Sequence, residues 1–534
     1  MAETLRARLA YEPAPLKFGT SGRRGEVAHL TQLEIYVNAF AEIEYLQSLA
    51  AAEGGLRRGD EFYVASDLRR SSTAYVAEQG GRGEIAQTIV RAALDAGMRP
   101  VYLGPLPTPA LTAYAIARRR GSMMVTGSHI PFDRNGYKAN TAIGELLKHH
   151  EGPVNEAVER VRARLYAQPF EESPFDERGR FKAGHQELPP ATDAGREAYL
   201  ARYVDFFGPA ALTGLRLLAY QHSAVGRDLL VELLGRLGAE VVAAGRSETF
   251  VPIDTENIDA AQLAAIQKLV DAAGRVDAVV STDGDSDRPL LLGVDEAGRA
   301  RFFGGDLVGM VVAEFLGADA VVVPISCNDA IDRGPLAAAL EPKTRIGSPY
   351  VIAGMEQARA KGRRVVCGWE ANGGFLTGSD IVRNGRTLHA LPTRDAMLPI
   401  LGALSAARER GLPLGALFDR LPRRFSKAAL LKNFPRPRAL AIVERYSTAP
   451  FDQIEPFFPG RDGFSAIAGR DLTDGLRLIF TSGEVAHLRP SGNADEFRIY
   501  AVADTQARAD QIAGLGVAEP DGILRRFERS LEAG

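Results

Sequence analysis

Cysteine is almost missing from this chain: Cys327 and Cys367 are the only two in 534 residues. Both lie in apolar, strand-like runs, which excludes a disulfide framework and fits buried thiols in a reducing compartment. Net charge is scarce too, since 64 Lys and Arg against 67 Asp and Glu leave -3. That balance argues against a nucleic-acid binder relying on overall attraction. Long apolar runs are lacking as well. The opening "MAETLRARLAYEPAP" has no apolar core of a secretory signal, and the greasiest stretch, 307–325, is interrupted by Glu314 and Asp319. No membrane partner is expected, and the expected location is the cytoplasm. What remains, 46% hydrophobic and 25% charged, is an ordinary globular composition that rules out disorder. The length exceeds what one core usually supports and predicts three or four domains.

Three segments share one grammar. "AYAIARRRGSMMVTGSH", "IQKLVDAAGRVDAVVSTDGD" and "MEQARAKGRRVVCGWEANGG" each run helix, glycine-containing break, apolar strand, then a loop of small and polar residues. Helix-to-strand halves recur at "TIVRAALDAGMRPVYLGPLP" and "LLVELLGRLGAEVVAAG", with Gly97 and Gly238 as helix stops. The expected fold is α/β, with three similar mixed α/β domains whose sheets are mostly parallel and whose ligand loops lie beyond the strands' C-terminal ends. From residue 421 the runs "DGLRLIF", "EVAHLRP" and "EFRIYAVA" alternate and are separated by turn residues, which predicts an antiparallel α+β domain. Seams near 196, 300 and 420 divide the chain into expected domains 1–195, 196–300, 301–420 and 421–534.

Five loops carry the chemistry. "TGSHIPFDRNGYK" offers Ser128 beside His129, with Lys138 returned by the Asn135-Gly136 turn; the serine reads as a nucleophile or as the cap of a following turn. "STDGDSDRP" puts Asp283, Asp285 and Asp287 at alternate positions before Arg288. An EF-hand would need Gly at the sixth position and Glu at the twelfth, where Arg288 and Val294 stand, so the loop predicts a hard-metal site of another kind at a strand end. "CGWEANGGFLTGSD" presents Glu370 and Asn372, a carboxylate and an amide suited to sugar hydroxyls, or else a polar turn with a glycine hinge. Trp369 reads as packing. "RPSGNADEFR" combines Arg489 and Ser491 at a turn that fits an anion, and "KFGTSGRRG" has the same makeup at Arg23 and Arg24.

In this order the loops resemble those of the α-D-phosphohexomutase superfamily, most like its bacterial phosphomannomutase/phosphoglucomutase members, over almost the whole span from Lys17 to Arg498. The resemblance implies four domains with their loops meeting in one central cleft, and transfer of phosphate between C1 and C6 of a hexose through a hexose 1,6-bisphosphate, which also activates. The serine of the family's T-x-S-H-N-P loop corresponds to Ser128, which it implies is phosphorylated. The Asp-Gly-Asp-x-Asp-Arg loop implies Mg²⁺ on Asp283, Asp285 and Asp287, together with Ser128, and Arg288 steering the phosphoserine. G-E-x-S-G corresponds to Glu370 and Asn372, and R-x-S-G-T to Arg489, Ser491, Gly492 and Asn493. Lys138 matches a lysine assigned to proton transfer, helped by His129 and dependent on neighbouring cations, and Arg24 the arginine of an N-terminal motif. Ile130, Asn372 and Asn493 depart from the pattern at positions that bear on substrate choice. Sugar phosphates are the implied ligands, mannose foremost and glucose or glucosamine as alternatives, and the implied assembly is a monomer or homodimer. The serine and aspartate loops are expected on the surface, within reach of a sugar. A phosphatase and a non-catalytic sugar-phosphate binder are the competing readings, and neither needs all of these loops at once.

Overall fold

The computed structural model describes residues 3–19, 22–256, 258–491 and 495–532. Four main sheets follow one another along the chain. The first has six strands in the order Lys17–Phe18, Arg23–Glu26, Arg134–Asn140, Ser122–Val125, Glu61–Ser66, Arg99–Pro105. The second runs Glu240–Arg246, Arg216–His222, Ala278–Thr282, Pro289–Val294, Ala300–Phe303, and the third Ala320–Val322, Val366–Trp369, Phe375–Thr377, Leu391–Asp395. The fourth, of five strands between Phe425 and Ala503, is antiparallel throughout.

The first three sheets are mixed, and the mixture places the chemistry. Ser122–Val125, Ala278–Thr282 and Val366–Trp369 each lie parallel to a neighbour, as helical crossovers dictate. Each then returns at once as an antiparallel partner: Arg134–Asn140, Pro289–Val294 and Phe375–Thr377. The three loops are therefore hairpin connections at the C-terminal ends of parallel strands, and they project as a unit beyond the sheet edge. The helix-and-strand repeat foretells the parallel part but not these antiparallel returns, which are buried on both faces and so leave no alternation in the sequence.

Gly97 and Gly238 act as expected. Helices Ile85–Asp95 and Arg227–Arg236 end just before them, with φ of 80° and 90°, conformations open to glycine without steric cost. The largest core runs without a break from Tyr63 through the helix Ala194–Phe207, the second and third sheets and the buried helix Met397–Arg410 to Phe418. The fourth sheet packs its own core with helices Arg436–Ser447, Gln506–Val517 and Ile523–Ser530. Cys327 and Cys367 are buried free thiols, and Trp369 stacks on Phe375 at 5.8 Å, a packing role as expected.

Candidate active site

Met123, Met124 and Val125 are fully buried, and so is Ser128 at 0% exposure. The expectation of surface loops is therefore corrected for Ser128 and the aspartates, which lie where the loops converge, while the tip of the serine loop, residues 131–134, is exposed. Ser128 sits at φ 52° in the left-handed region. Its Oγ donates to Asp283 Oδ2 at 3.0 Å and its N–H to Thr126 Oγ1 at 2.7 Å. This unusual backbone is held by Arg69, which the sequence did not single out. The Arg69 guanidinium donates to the carbonyls of Ser128, Ile130 and Pro131 at 2.8, 2.6 and 2.9 Å. It pairs with Asp67 at 3.2 Å and stacks over Phe250 at 3.9 Å. Gly127 lies so close that an added Cβ would stand 2.6 Å from Arg69 Cζ. Gly127→Ala is expected to shift the loop and lower kcat by roughly 10²-fold, in line with small displacements of reacting groups. Steady-state kinetics on a variant of unchanged melting temperature checks this.

Asp283, Asp285 and Asp287 each offer an oxygen within 4.8 Å of the others, all buried. The loop is tightly made: Asp283 Oδ1 accepts the N–H groups of Asp287 and Arg288 at 3.1 and 3.2 Å. Asp285 Oδ2 accepts Thr108 Oγ1 at 2.6 Å and Lys138 Nζ at 2.7 Å, and Lys138 also reaches Asp287 Oδ2 at 2.7 Å. Lys138 thus faces carboxylates, where the sequence reading set it among cations. Burial and the neighbouring Asp285 and Asp287 charges push the Asp283 pKa well above the usual carboxylate range. Among the described residues, Asp285 Oδ1 and Asp287 Oδ1 are buried without a hydrogen-bond partner. Orphaned hard oxygens in a triad of carboxylates fit a divalent cation.

Cations crowd the other side. Arg288 Nε lies 3.5 Å from Asp287 Oδ1. Arg24 is lowered to about 10, first by burial; the approach of Arg288 and Arg394 also lowers it, while Asp285 opposes them. His129 falls well below its ordinary value because of Arg288, then burial, then Arg24, so its imidazole is neutral. Among the described residues, the buried Nε atoms of Arg24 and Arg288 and Nδ1 of His129 also have no hydrogen-bond partners. Cationic groups with hydrogen-bonding capacity to spare suit an anion of high charge.

Glu370 and Asn372 lie in the hairpin turn of the third sheet. Glu370 Oε2 accepts Arg394 Nη1 at 2.9 Å, while Arg394 Nε and Nη2 donate to Asp287 Oδ2 at 3.1 and 3.0 Å. Asn372 spends Oδ1 on the N–H of Gly374 at 3.0 Å, so the turn reading holds for that atom. Its carbonyl accepts Thr255 Oγ1 at 2.9 Å. The same segment carries Phe250 against Arg69 and leads to Glu256, whose carboxyl rises to about 7 through burial, then Asp254, against the pull of Arg288 and Arg498. Arg498 lies on the strand Glu496–Ala503 of the fourth sheet. Arg489 Nε pairs with Asp474 at 3.0 Å and Ser491 is buried. Gly492 and Asn493 lie outside the described residues.

A serine hydroxyl on a metal-type carboxylate triad, with Arg288 and Arg394 against the same carboxylates, is the equipment of a phosphotransferase. Family models described as phosphoglucomutase/phosphomannomutase, alpha/beta/alpha domains I, II and III, match residues 15–164, 198–297 and 304–425. The chain is 39% identical over 509 residues to a phosphomannomutase of Sinorhizobium fredii, covering 94% of this chain and 98% of that one. A phosphomannomutase of Salmonella muenchen is 36% identical over 501 residues, with 93% and 94% covered. The crystal structure of a phosphoglucomutase/phosphomannomutase family protein from Burkholderia thailandensis matches the fold with a TM-score of 0.67 at 19% identity, over 97% of this chain and 98% of that one. The chain belongs to the phosphoglucomutase/phosphomannomutase family.

Proposed function

We propose that the protein interconverts hexose 1-phosphate and hexose 6-phosphate, with mannose as its principal hexose and glucose as a second, through a phosphoryl group carried on Ser128. The observation that carries this reading is the 3.0 Å contact between Ser128 Oγ and Asp283 in a triad that keeps two buried oxygens without hydrogen-bond donors among the described residues. Asp283, Asp285 and Asp287, with Ser128, would hold Mg²⁺. When bound, that ion offsets phosphoryl charge and makes phosphorus a better electrophile.

The residues of the chain do the rest. Arg24 and Arg288 face the transferring phosphoryl, where guanidinium groups favour the spreading negative charge of a loose transition state. A sugar hydroxyl oxygen bonds to phosphorus as the bond to Ser128 Oγ breaks, and the hydroxyl proton passes to the neutral imidazole of His129, while Lys138, which donates to Asp285 and Asp287, supplies positive charge beside the reacting oxygens. The product of that half-reaction is a hexose 1,6-bisphosphate. After it turns over in the cleft, Ser128 takes back the other phosphoryl group and the proton returns. Glu370 accepts sugar hydroxyls, and Asn372 donates through its amide nitrogen. Arg489 and Ser491, with Gly492 and Asn493, receive the phosphate that is not reacting. Burial of the site excludes water, the competing acceptor.

Initial rates with mannose 1-phosphate, glucose 1-phosphate and glucosamine 1-phosphate, with Mg²⁺ and catalytic bisphosphate present, test the reading. Mannose 1-phosphate is expected to exceed glucosamine 1-phosphate in kcat/KM by about tenfold or more, the scale of discrimination that one or two polar contacts supply. Release of inorganic phosphate without isomerisation would instead mark a phosphatase.

A further inference from the structure

Arg394 has no part in the sequence-level account, yet it joins two of the loops. It stands in the strand Leu391–Asp395, 4% exposed, and spreads one planar guanidinium over two carboxylates from different sheets. Nε and Nη2 fix Asp287 Oδ2, leaving Oδ1, the orphaned oxygen, turned elsewhere. Nη1 fixes Glu370 Oε2. A planar guanidinium thus reaches one oxygen of each carboxylate at once and at fixed angles, which a single ammonium cannot do.

Its neighbours hold it rigidly. Thr393 Oγ1 donates to Glu145 Oε1 at 2.6 Å, and Ser348 Oγ to Glu145 Oε2 at 2.8 Å, which ties the strand to the first sheet's unit. On the other side, Asp395 accepts hydrogen bonds from Tyr199 and Tyr203 on the helix Ala194–Phe207, and from the N–H of Met397 at 3.0 Å. The stem of Arg394 packs on Gly374, where an added Cβ would meet Cδ at 2.6 Å. Side chain and backbone are thus held from three elements.

We propose that Arg394 is a positioning residue that couples the sugar loop to the metal loop, so that a hexose phosphate on Glu370 tightens the grip of the aspartate triad on its divalent cation, and the cation tightens the sugar. Because one firmly held guanidinium bonds both carboxylates, a sugar that settles Glu370 settles Asp287 with it, and a cation on Asp287 settles Glu370 in turn; linkage makes the effect reciprocal. The inference rests on the proposed function for the identity of the sugar ligand, but not for the coupling between the two loops.

The test uses the dephosphorylated full-length enzyme, which holds no phosphoryl group to transfer. Mg²⁺ affinity is measured by calorimetry with and without mannose 6-phosphate, and the fluorescence of Trp369, the only tryptophan and the residue before Glu370, follows the sugar loop. The wild type is expected to bind Mg²⁺ at least about fivefold more tightly with the sugar present. Arg394→Lys is expected to bring that ratio near one while each ligand still binds alone. Gly374→Ala keeps the arginine but displaces its stem, and is expected to reduce the ratio in the same way with an unchanged melting temperature. A wild-type ratio near one, or a full ratio in either variant, would overturn the coupling. Mutase rates on the same wild-type preparation separate the two claims: a chain without mutase activity that still couples the ligands contradicts the proposed function alone.

Discussion

Ser128→Ala is expected to remove mutase turnover, with kcat falling on the order of 10⁴-fold or more, because no second nucleophile can complete a phosphoryl relay. The loss should come without unfolding. Asp283 keeps the N–H groups of Asp287 and Arg288, and the Ser128 backbone keeps its Arg69 contact. Only one side-chain hydrogen bond is removed, about 0.5–3 kcal/mol, and burying one fewer hydroxyl offsets part of it. Intact mass should show a phosphoryl adduct on the wild type after incubation with a hexose bisphosphate, and none on the variant. Retained turnover in Ser128→Ala would place the phosphoryl carrier elsewhere.

Asp285→Asn keeps the shape of the loop while removing one of three charges. Its oxygen can still accept Thr108 Oγ1, whereas Lys138 keeps a full ionic partner only in Asp287. The expected result is a loss of apparent Mg²⁺ affinity on the order of 10²-fold or more, since even residues that merely support metal ligands cost 10- to 100-fold. Activity should fall accordingly and recover in part at high Mg²⁺. Saturating Mg²⁺ should raise the melting temperature of the wild type by mass action, and that rise should vanish in the variant at the same concentration. A large drop in stability of the metal-free variant, with unchanged activity per folded molecule, would mean that the triad serves structure.

The residues that declare themselves in the sequence are those whose chemistry is local. Asp283, Asp285 and Asp287 alternate within five positions, a pattern that only a cation or a set of buried donors makes tolerable. Ser128 stands out because small and polar residues follow a wholly apolar strand. Gly97 and Gly238 declare the helix ends for the same local reason. Arg394 and Arg69 stay hidden because their partners are remote: Asp287 lies 107 positions from Arg394, and the Ser128 carbonyl 59 from Arg69. The one sequence trace of Arg394 is a charged pair, Arg394-Asp395, just before the apolar helix Met397–Arg410, and buried charges demand partners. Burial of Ser128 and the aspartates was illegible too, because each loop is polar by itself and is covered only by the others. The antiparallel returns stay hidden because their strands are buried on both faces and carry no polar alternation.

The central claim is that the phosphoryl group on Ser128 is itself delivered to the sugar. Enzyme carrying radiolabelled phosphate on Ser128, freed of excess bisphosphate, should be mixed with unlabelled mannose 6-phosphate in a single turnover and the products separated. The account predicts label in mannose 1,6-bisphosphate and then in mannose monophosphate, with loss of label from the protein at the same rate. Label that stays on the protein while isomerisation proceeds, or that leaves as inorganic phosphate, would contradict it.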